Sequence, residues 1–300
     1  MRIVTAILTL LVLLGGCYRP ASEDHPLGSE ENPLIMAFVP STEAEKVIDS
    51  GEELIELLTA ETDLHYRAQM STSYVGIVEA MAVGKVHIAW LPPMAYVYAH
   101  DRNGDEVVLK VVRNGKPTYR GQIVVMADSD IAELADLRDK RVAFTDQTSA
   151  SGHYYPAALL REAGLNLETD IEPLFAGSHD AAVLALVKGS VEAACCYDDA
   201  RTKLKEMGFP DIETTTRILA LTPDIPADNV SVIAELSAEL KQRITDGLEA
   251  VADSQRGAEI LMDLYEVEGL VPAVDGDYDP VRRMVDALDR DIEEELRRGD

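Results

Sequence analysis

Short apolar runs alternate with stretches of helical period along most of this chain, the pattern of an α/β fold built on mostly parallel sheets. Pro33 to Val39 predicts a strand, and Thr42 with Glu45 three residues on forms a capping box that opens a helix reaching about Ala60. Leu64 to Gln69 is a second strand. Ser71, Thr72 and Ser73 then cap a helix that begins near Tyr74 and stops at Gly84, where a glycine suits the C-terminal turn. His87 to Leu91 is a third strand, and Pro92-Pro93 sets the start of another helix, because proline is tolerated only in a first turn.

Val107 to Val112 and Gly121 to Ala127 are β-rich runs that carry the chain out of a first lobe. Strands at Arg141 to Phe144, Glu172 to Phe175 and Ala193 to Tyr197, each leading into a helix, build a second lobe. Arg217 to Leu221 and Asn229 to Ile233 offer the return path, and helices from Ser237 onward and from Pro280 to Arg297 pack back on the first lobe. The expected organisation is lobe I from residues 33–125 plus 229–300 and lobe II from residues 126–228. Two crossing strands make a hinge about which such lobes close. In open α/β sheets the ligand lies beyond the carboxyl ends of the strands, at the helix N-termini.

Ahead of the folded part, Met1-Arg2, an uncharged run from Ile3 to Leu14, and then Leu14-Gly15-Gly16-Cys17 have the layout of a secretory signal. The small residues before Cys17 are similar to a bacterial lipobox, so residues 1–16 read as a signal peptide and Cys17 as a lipidated first residue. Acyl chains contribute about 0.8 kcal/mol per buried methylene, enough in combination to hold a protein at a membrane without a spanning helix. Residues 17–32, rich in Pro, Ser, Glu, Asp and Gly and without helical or strand period, read as a flexible tether.

Composition narrows the partners. The formal net charge of -27 leaves no surplus of Lys and Arg to neutralise phosphates, which excludes nucleic acid. It does not exclude a small anion in a buried site, since surface carboxylates are screened beyond a Debye length of about 8 Å whereas aimed N–H groups act at contact. After Cys17 only Cys195 and Cys196 remain, so stability must come from apolar cores, which the hydrophobic fraction of 47% allows. The six histidines show no ligand spacing, and no metal or cofactor is expected.

The candidate chemistry sits at strand-to-helix junctions. Phe144 leads into Thr145-Asp146-Gln147-Thr148-Ser149-Ala150-Ser151-Gly152, and Pro156 places a helix start within a turn of Gly152. The unpaired N–H groups of such a start, with the positive end of the macrodipole and the hydroxyls of Ser149 and Ser151, form an anion site without a cationic side chain. Plain N-capping by serine is the competing reading. Ala176-Gly177-Ser178-His179 repeats the device, with His179 facing the same rim as a donor. Tyr197-Asp198-Asp199 follows the third strand, where Asp198 or Asp199 accepts a proton from a P–OH group or merely caps a helix. Lobe I offers Tyr74 and Tyr96, whose phenols can hydrogen-bond an anion while the rings cover its organic part.

Ser73-Tyr74, Leu91-Pro92-Pro93-Met94-Ala95-Tyr96-Val97, Pro117-Thr118-Tyr119-Arg120, Ser149-Ala150-Ser151-Gly152 with Pro156, Ala176-Gly177-Ser178-His179-Asp180 and Tyr197-Asp198-Asp199-Ala200 occur in that order. Together they resemble the phosphate, phosphite and phosphonate binding-protein family of ABC importers, over roughly Pro33 to Ile233. The resemblance implies a two-lobed type II periplasmic-binding fold, no enzymatic activity, and a small phosphorus oxyanion held between the lobes by Tyr74, Tyr96, Ser149, the Ala150 N–H, Ser151, His179 and Asp198. It further implies an ABC permease as partner; a monomer is expected, held at the membrane through the lipid on Cys17. Two positions depart from the family pattern: Ala150 stands where Thr is usual, and Pro92 where Gly is more frequent before Pro93.

Two other classes stay open at this stage. A serine hydrolase would use Ser149 or Ser151 with His153 or His179, but the Gly-x-Ser-x-Gly elbow is absent. An oxyanion sensor for a histidine kinase, for example for arsenic, would give Cys195 and Cys196 a soft-ligand role, against which stands their place in an apolar strand.

Overall fold

The computed structural model describes residues 25–38, 44–71, 73–145, 149–198 and 200–288. The signal segment, Cys17, Thr42, Asp199 and the chain after residue 288 lie outside the described residues.

Lobe I begins with β1 (Leu34–Phe38), α1 (Ala44–Thr62), β2 (Tyr66–Met70), α2 (Tyr74–Ala82), β3 (Ile88–Leu91), α3 (Pro93–Asn103) and β4 (Glu106–Val112). The runs Leu-Ile-Met-Ala-Phe of β1 and Ile-Ala-Trp-Leu of β3 are buried at every position, as central strands covered by helices on both faces must be. Ser73 caps α2 by accepting from the Gly76 N–H at 3.0 Å. Pro92 and Pro93 open α3, which closes on Gly104 at φ 77°, a left-handed position glycine takes without a Cβ penalty.

After β5 (Thr118–Tyr119) the chain enters the second lobe with β6 (Gly121–Met126), β7 (Lys140–Phe144), α4 (Tyr155–Glu162), β8 (Ile171–Phe175), α5 (His179–Val187), β9 (Ala193–Tyr197), α6 (Ala200–Glu206), α7 (Ile212–Thr215) and β10 (Thr216–Leu221). It returns through β11 (Ile225–Pro226) to β12 (Asn229–Val232), α8 (Ala238–Asp253), α9 (Gln255–Tyr265), β13 (Gly269–Pro272) and α10 (Asp279–Ala287).

Two sheets result, with strand orders β13-β4-β12-β3-β1-β2 and β10-β6-β9-β7-β8. β7 pairs in parallel with both β8 and β9, so all three strands end on the same edge of the second sheet. The connections are shorter than the sequence suggested. Gly121–Met126 and Thr216–Leu221 are antiparallel members of the second sheet, because Ile123, Val124 and Val125 are fully buried and can satisfy their backbone only by pairing on both sides. The second sheet therefore starts at Gly121, ahead of the boundary expected at residue 126. The crossing itself is the two-residue ladder of β5 with β11, in which Tyr119 faces Ile225 and Thr118 faces Pro226.

The tether also ends earlier than expected. Residues 25–32 form a turn in which the Gly28 N–H donates to the Asn32 carbonyl and the His65 N–H donates to the Gly28 carbonyl, both at 2.8 Å. Leu27 packs against the lobe I core, so apolar burial fixes this segment to the start of β2. α10 closes the fold by touching α3 in lobe I, α4 in lobe II and β11 between them.

Candidate functional site

The start of the helix after β7 is a serine-capped turn with free leading amides. Ser149 accepts from the Gly152 N–H through Oγ at 3.0 Å, and its carbonyl accepts from His153 and Tyr154. Residues 150–154 make a single π-helical turn before α4 begins. The amides of Ala150 and Ser151 thus precede the first intrahelical hydrogen bond and sit at the positive end of the dipole. Serine capping leaves a donor over: Oγ of Ser149 accepts from the Gly152 N–H and keeps its own proton for donation. Wide π turns recur at functional sites.

This turn is pressed against the start of β6. A Cβ on Gly121 would lie 2.5 Å from the Ser151 carbonyl oxygen and 3.2 Å from its Cα, so only glycine admits the approach. A Cβ on Gly152 would meet Thr145 Oγ1 at 2.1 Å. Ser151 itself is 3% exposed and its side chain is hydrogen-bonded to Tyr119. Burial pushes the Tyr119 phenol up and the Asp228 carboxylate adds to that, against the hydrogen bond with Ser151, so Tyr119 stays neutral.

His179 opens α5 at the same edge. Ser178 caps that helix through the Ala181 N–H, and Nδ1 of His179 accepts from the Tyr197 N–H at 3.2 Å. The rings of His179 and Tyr197 meet edge to face with centroids 4.7 Å apart. Tyr197 pairs with Gly121 across the sheet, and Gly121 carries Ser151. A chain of contacts therefore links Ser151 to His179 through Gly121 and Tyr197 along one end of the second sheet. Asp198 continues it: its N–H donates to the Arg120 carbonyl at 2.9 Å, and its carboxylate lies 3.8 Å from Arg120 Nε.

Across the neck, Tyr74 lines a small cavity with Trp90, Leu91, Pro92, Arg113, Asp228 and Tyr265. Its volume of about 50 Å³ gives room for a few water-sized groups. Arg113 spans it, with Nη1 2.9 Å from Asp228 Oδ2 and Nε donating to the Tyr265 carbonyl at 3.0 Å. Tyr119 links the two halves, being bonded to Ser151 and within electrostatic reach of Asp228 and Arg113.

Of the residues picked out in the sequence, Ser149, Ala150, Ser151, His179 and Asp198 gather on the lobe II edge, and Tyr74 lies across the neck. Tyr96 does not join them. It is fully buried, donates to Asp275 Oδ1 at 3.0 Å and meets Tyr278 edge to face, because one turn into α3 its side chain turns toward α10 rather than toward the cleft. Its phenol is raised by burial and by that carboxylate. Asp199 lies outside the described residues. Sequence reasoning passed over Arg113, Tyr119, Arg120 and Asp228; Pro117-Thr118-Tyr119-Arg120 stood out as a motif, but its role came only with the β5–β11 ladder.

The alternative chemistries lose their footing. His153 is wedged edge to face against Phe144 and Phe175, each at 5.1 Å. Cys195 and Cys196 are fully buried free thiols on β9, and burial raises both, Cys196 to about 12, the wrong direction for thiolate ligands. Among the described residues no group of three or more His, Cys, Asp or Glu is arranged to hold a metal ion.

The sequence profile of the ABC-transporter periplasmic phosphonate substrate-binding proteins matches residues 36–278. The phosphate-import protein PhnD of Mycolicibacterium smegmatis is 28% identical over 309 aligned positions, covering 95% of this chain and 95% of its own. The phosphonates-binding periplasmic protein of Escherichia coli is 26% identical over 228 positions, 74% of this chain and 67% of its own. Among solved structures, PhnD1 from Prochlorococcus marinus in complex with methylphosphonate superposes with a TM-score of 0.68 at 16% identity, over 86% of this chain and 98% of that one.

Proposed function

The chain belongs to the family of periplasmic phosphonate substrate-binding proteins of ABC transporters, and from that premise we propose that it captures a phosphonate, phosphite or phosphate oxyanion between its lobes. It is a binding component of an importer and not an enzyme. The observation that supports the reading is the chain of contacts from Ser151 through Gly121 and Tyr197 to His179 at one end of the second sheet, beside the first-turn amides of Ala150 and Ser151.

In this reading the oxyanion is held by those two amides, the Ser149 and Ser151 hydroxyls and Nε2–H of His179, with Asp198 taking the proton of a P–OH group. Fixed dipoles in a site screened from the acidic surface replace cationic side chains. Tyr74 covers the ligand from lobe I. A ligand touching both lobes binds the closed form better than the open one, and that difference drives closure and presentation to the permease. We further propose export by residues 1–16, anchoring through lipid on Cys17, and action as a monomer.

Calorimetric titration against phosphate, phosphite, methylphosphonate and 2-aminoethylphosphonate tests the proposal. At least one should bind with a defined Kd that Ser151→Ala weakens by about tenfold or more, the loss of a hydrogen bond to a charged ligand. Absence of binding by all four would overturn it.

A further inference from the structure

We propose that Arg113 sets the ligand preference of the cleft: by holding Asp228 it leaves the aromatic cavity beside the oxyanion seat without net charge, so the cavity takes an uncharged organic substituent and rejects a cationic one. This rests on the oxyanion seat proposed above and adds what lies next to it.

The cavity walls are Tyr74, Trp90, Leu91, Pro92 and Tyr265, apart from the ion pair. Trp90 is fixed between Phe38 and Tyr265, with ring centroids at 6.4 Å and 5.9 Å, so the walls are preformed. Asp228 is the one carboxylate among the lining residues. Unpaired, it would attract an ammonium group and oppose a second negative charge. Arg113 removes that choice, gripping the carboxylate at 2.9 Å while its Nε is anchored on the Tyr265 carbonyl. Two residues on different strands of the neck thus hold each other, since the Val111 N–H donates to the Asp228 carbonyl at 2.9 Å and Ala227 is tied to Pro117. A cationic substituent entering here would have to compete with a guanidinium already in place and would lie beside a like charge. An uncharged alkyl group of one or two carbons loses little hydration and gains aromatic contact.

Tyr119, hydrogen-bonded to Ser151, faces Ile225 across the β5–β11 ladder, and the Ala227 N–H donates to the Pro117 carbonyl, which sets Asp228 at the end of the same ladder. The cavity is thus the lobe I neighbour of the Ser151 turn in this proposal.

The test compares Kd for phosphate, methylphosphonate, ethylphosphonate and 2-aminoethylphosphonate by calorimetry in the full-length mature protein. The unmodified protein should bind methylphosphonate or ethylphosphonate at least tenfold more tightly than 2-aminoethylphosphonate. Arg113→Gln should narrow or reverse that ratio by tenfold or more, with phosphate affected least, and adding Asp228→Asn should restore it. A preference for 2-aminoethylphosphonate in the unmodified protein overturns the inference even if neither variant folds. Equal weakening of all four ligands by Arg113→Gln overturns it too, while leaving the oxyanion seat intact. Failure of every ligand to bind the unmodified protein removes the seat and the inference together.

Discussion

The backbone N–H of Tyr197 donates to Nδ1 of His179 at 3.2 Å, and this contact decides which end of the imidazole carries the proton. A nitrogen that accepts cannot hold a hydrogen, so the neutral ring keeps its proton on Nε2, the donor that the proposed site requires. His179→Gln should weaken oxyanion binding by about 1.5 to 3 kcal/mol, the span for a hydrogen bond to a charged group. The unfolding midpoint should move little, since His179 is only partly buried. Calorimetry with the tightest oxyanion, alongside thermal unfolding, checks both halves. An unchanged Kd would remove His179 from the site.

Gly121 is the position where the 150–154 turn leans on the first residue of β6. Its missing side chain lets the Ser151 carbonyl come to where a Cβ would stand 2.5 Å away, far inside contact distance, and both partners are backbone. Gly121→Ala must push the 150–154 turn outward. Oxyanion affinity should fall by more than tenfold and the unfolding midpoint by several degrees, as expected when a strained contact costs about 1 to 3 kcal/mol. Gly84, whose Cβ would meet nothing within 4 Å although its φ is 65°, is the control: Gly84→Asn should leave binding unchanged.

Lys203 on α6 and Glu266 after α9 form an ion pair at 3.6 Å across the lobes, with the two side chains 53% and 69% exposed. At that exposure the pair is screened and worth about 0 to 1 kcal/mol. Glu266→Gln should therefore change oxyanion affinity by less than about fivefold. A loss beyond tenfold, seen by calorimetry at low salt and abolished at high salt, would show that this pair rather than the ligand holds the lobes together.

What the sequence disclosed and what it withheld divide along local and non-local lines. Strands such as Leu34–Phe38 and caps such as Ser73, Ser149 and Ser178 were legible because burial period and capping hydrogen bonds act within a few residues. Ser149 to Ser151, His179 and Asp198 could be singled out for the same reason, each lying a few residues after a strand. The position of the hinge was not, since the apolar run Gly121–Met126 does not say which sheet it joins; that follows from pairing with β9 and β10, some 70 and 95 residues on. Arg113 and Asp228 meet only through the neck, 115 residues apart in sequence. Tyr96 shows the limit of spacing alone: its place after Pro93 marks a helix start correctly, yet not which way the ring turns.

Asp105 gives the fold a pH signature that is separate from ligand binding. It is 1% exposed, and burial pushes its carboxyl up to about 6, with Glu235 adding in the same direction, against hydrogen bonds from Asn103 and the Ala234 N–H. The folded chain thus binds this proton more tightly than the unfolded chain does. Its contribution is most favourable below the ordinary carboxylate range and is lost as pH rises through about 6, so the ionised, buried carboxylate is a penalty at neutral pH. Each unit of displacement corresponds to about 1.4 kcal/mol, which puts the penalty on the order of 3 kcal/mol with the two hydrogen bonds already included. Asp105→Asn keeps an oxygen for Asn103 Nδ2, which donates to Oδ2 at 3.1 Å, and removes the charge. It should raise the unfolding midpoint by a few degrees at pH 7.5 and leave it unchanged near pH 4. Thermal unfolding of both proteins across that range checks the sign: a variant less stable than the parent at pH 7.5 would mean that the carboxylate, not the acid, is the form the fold prefers.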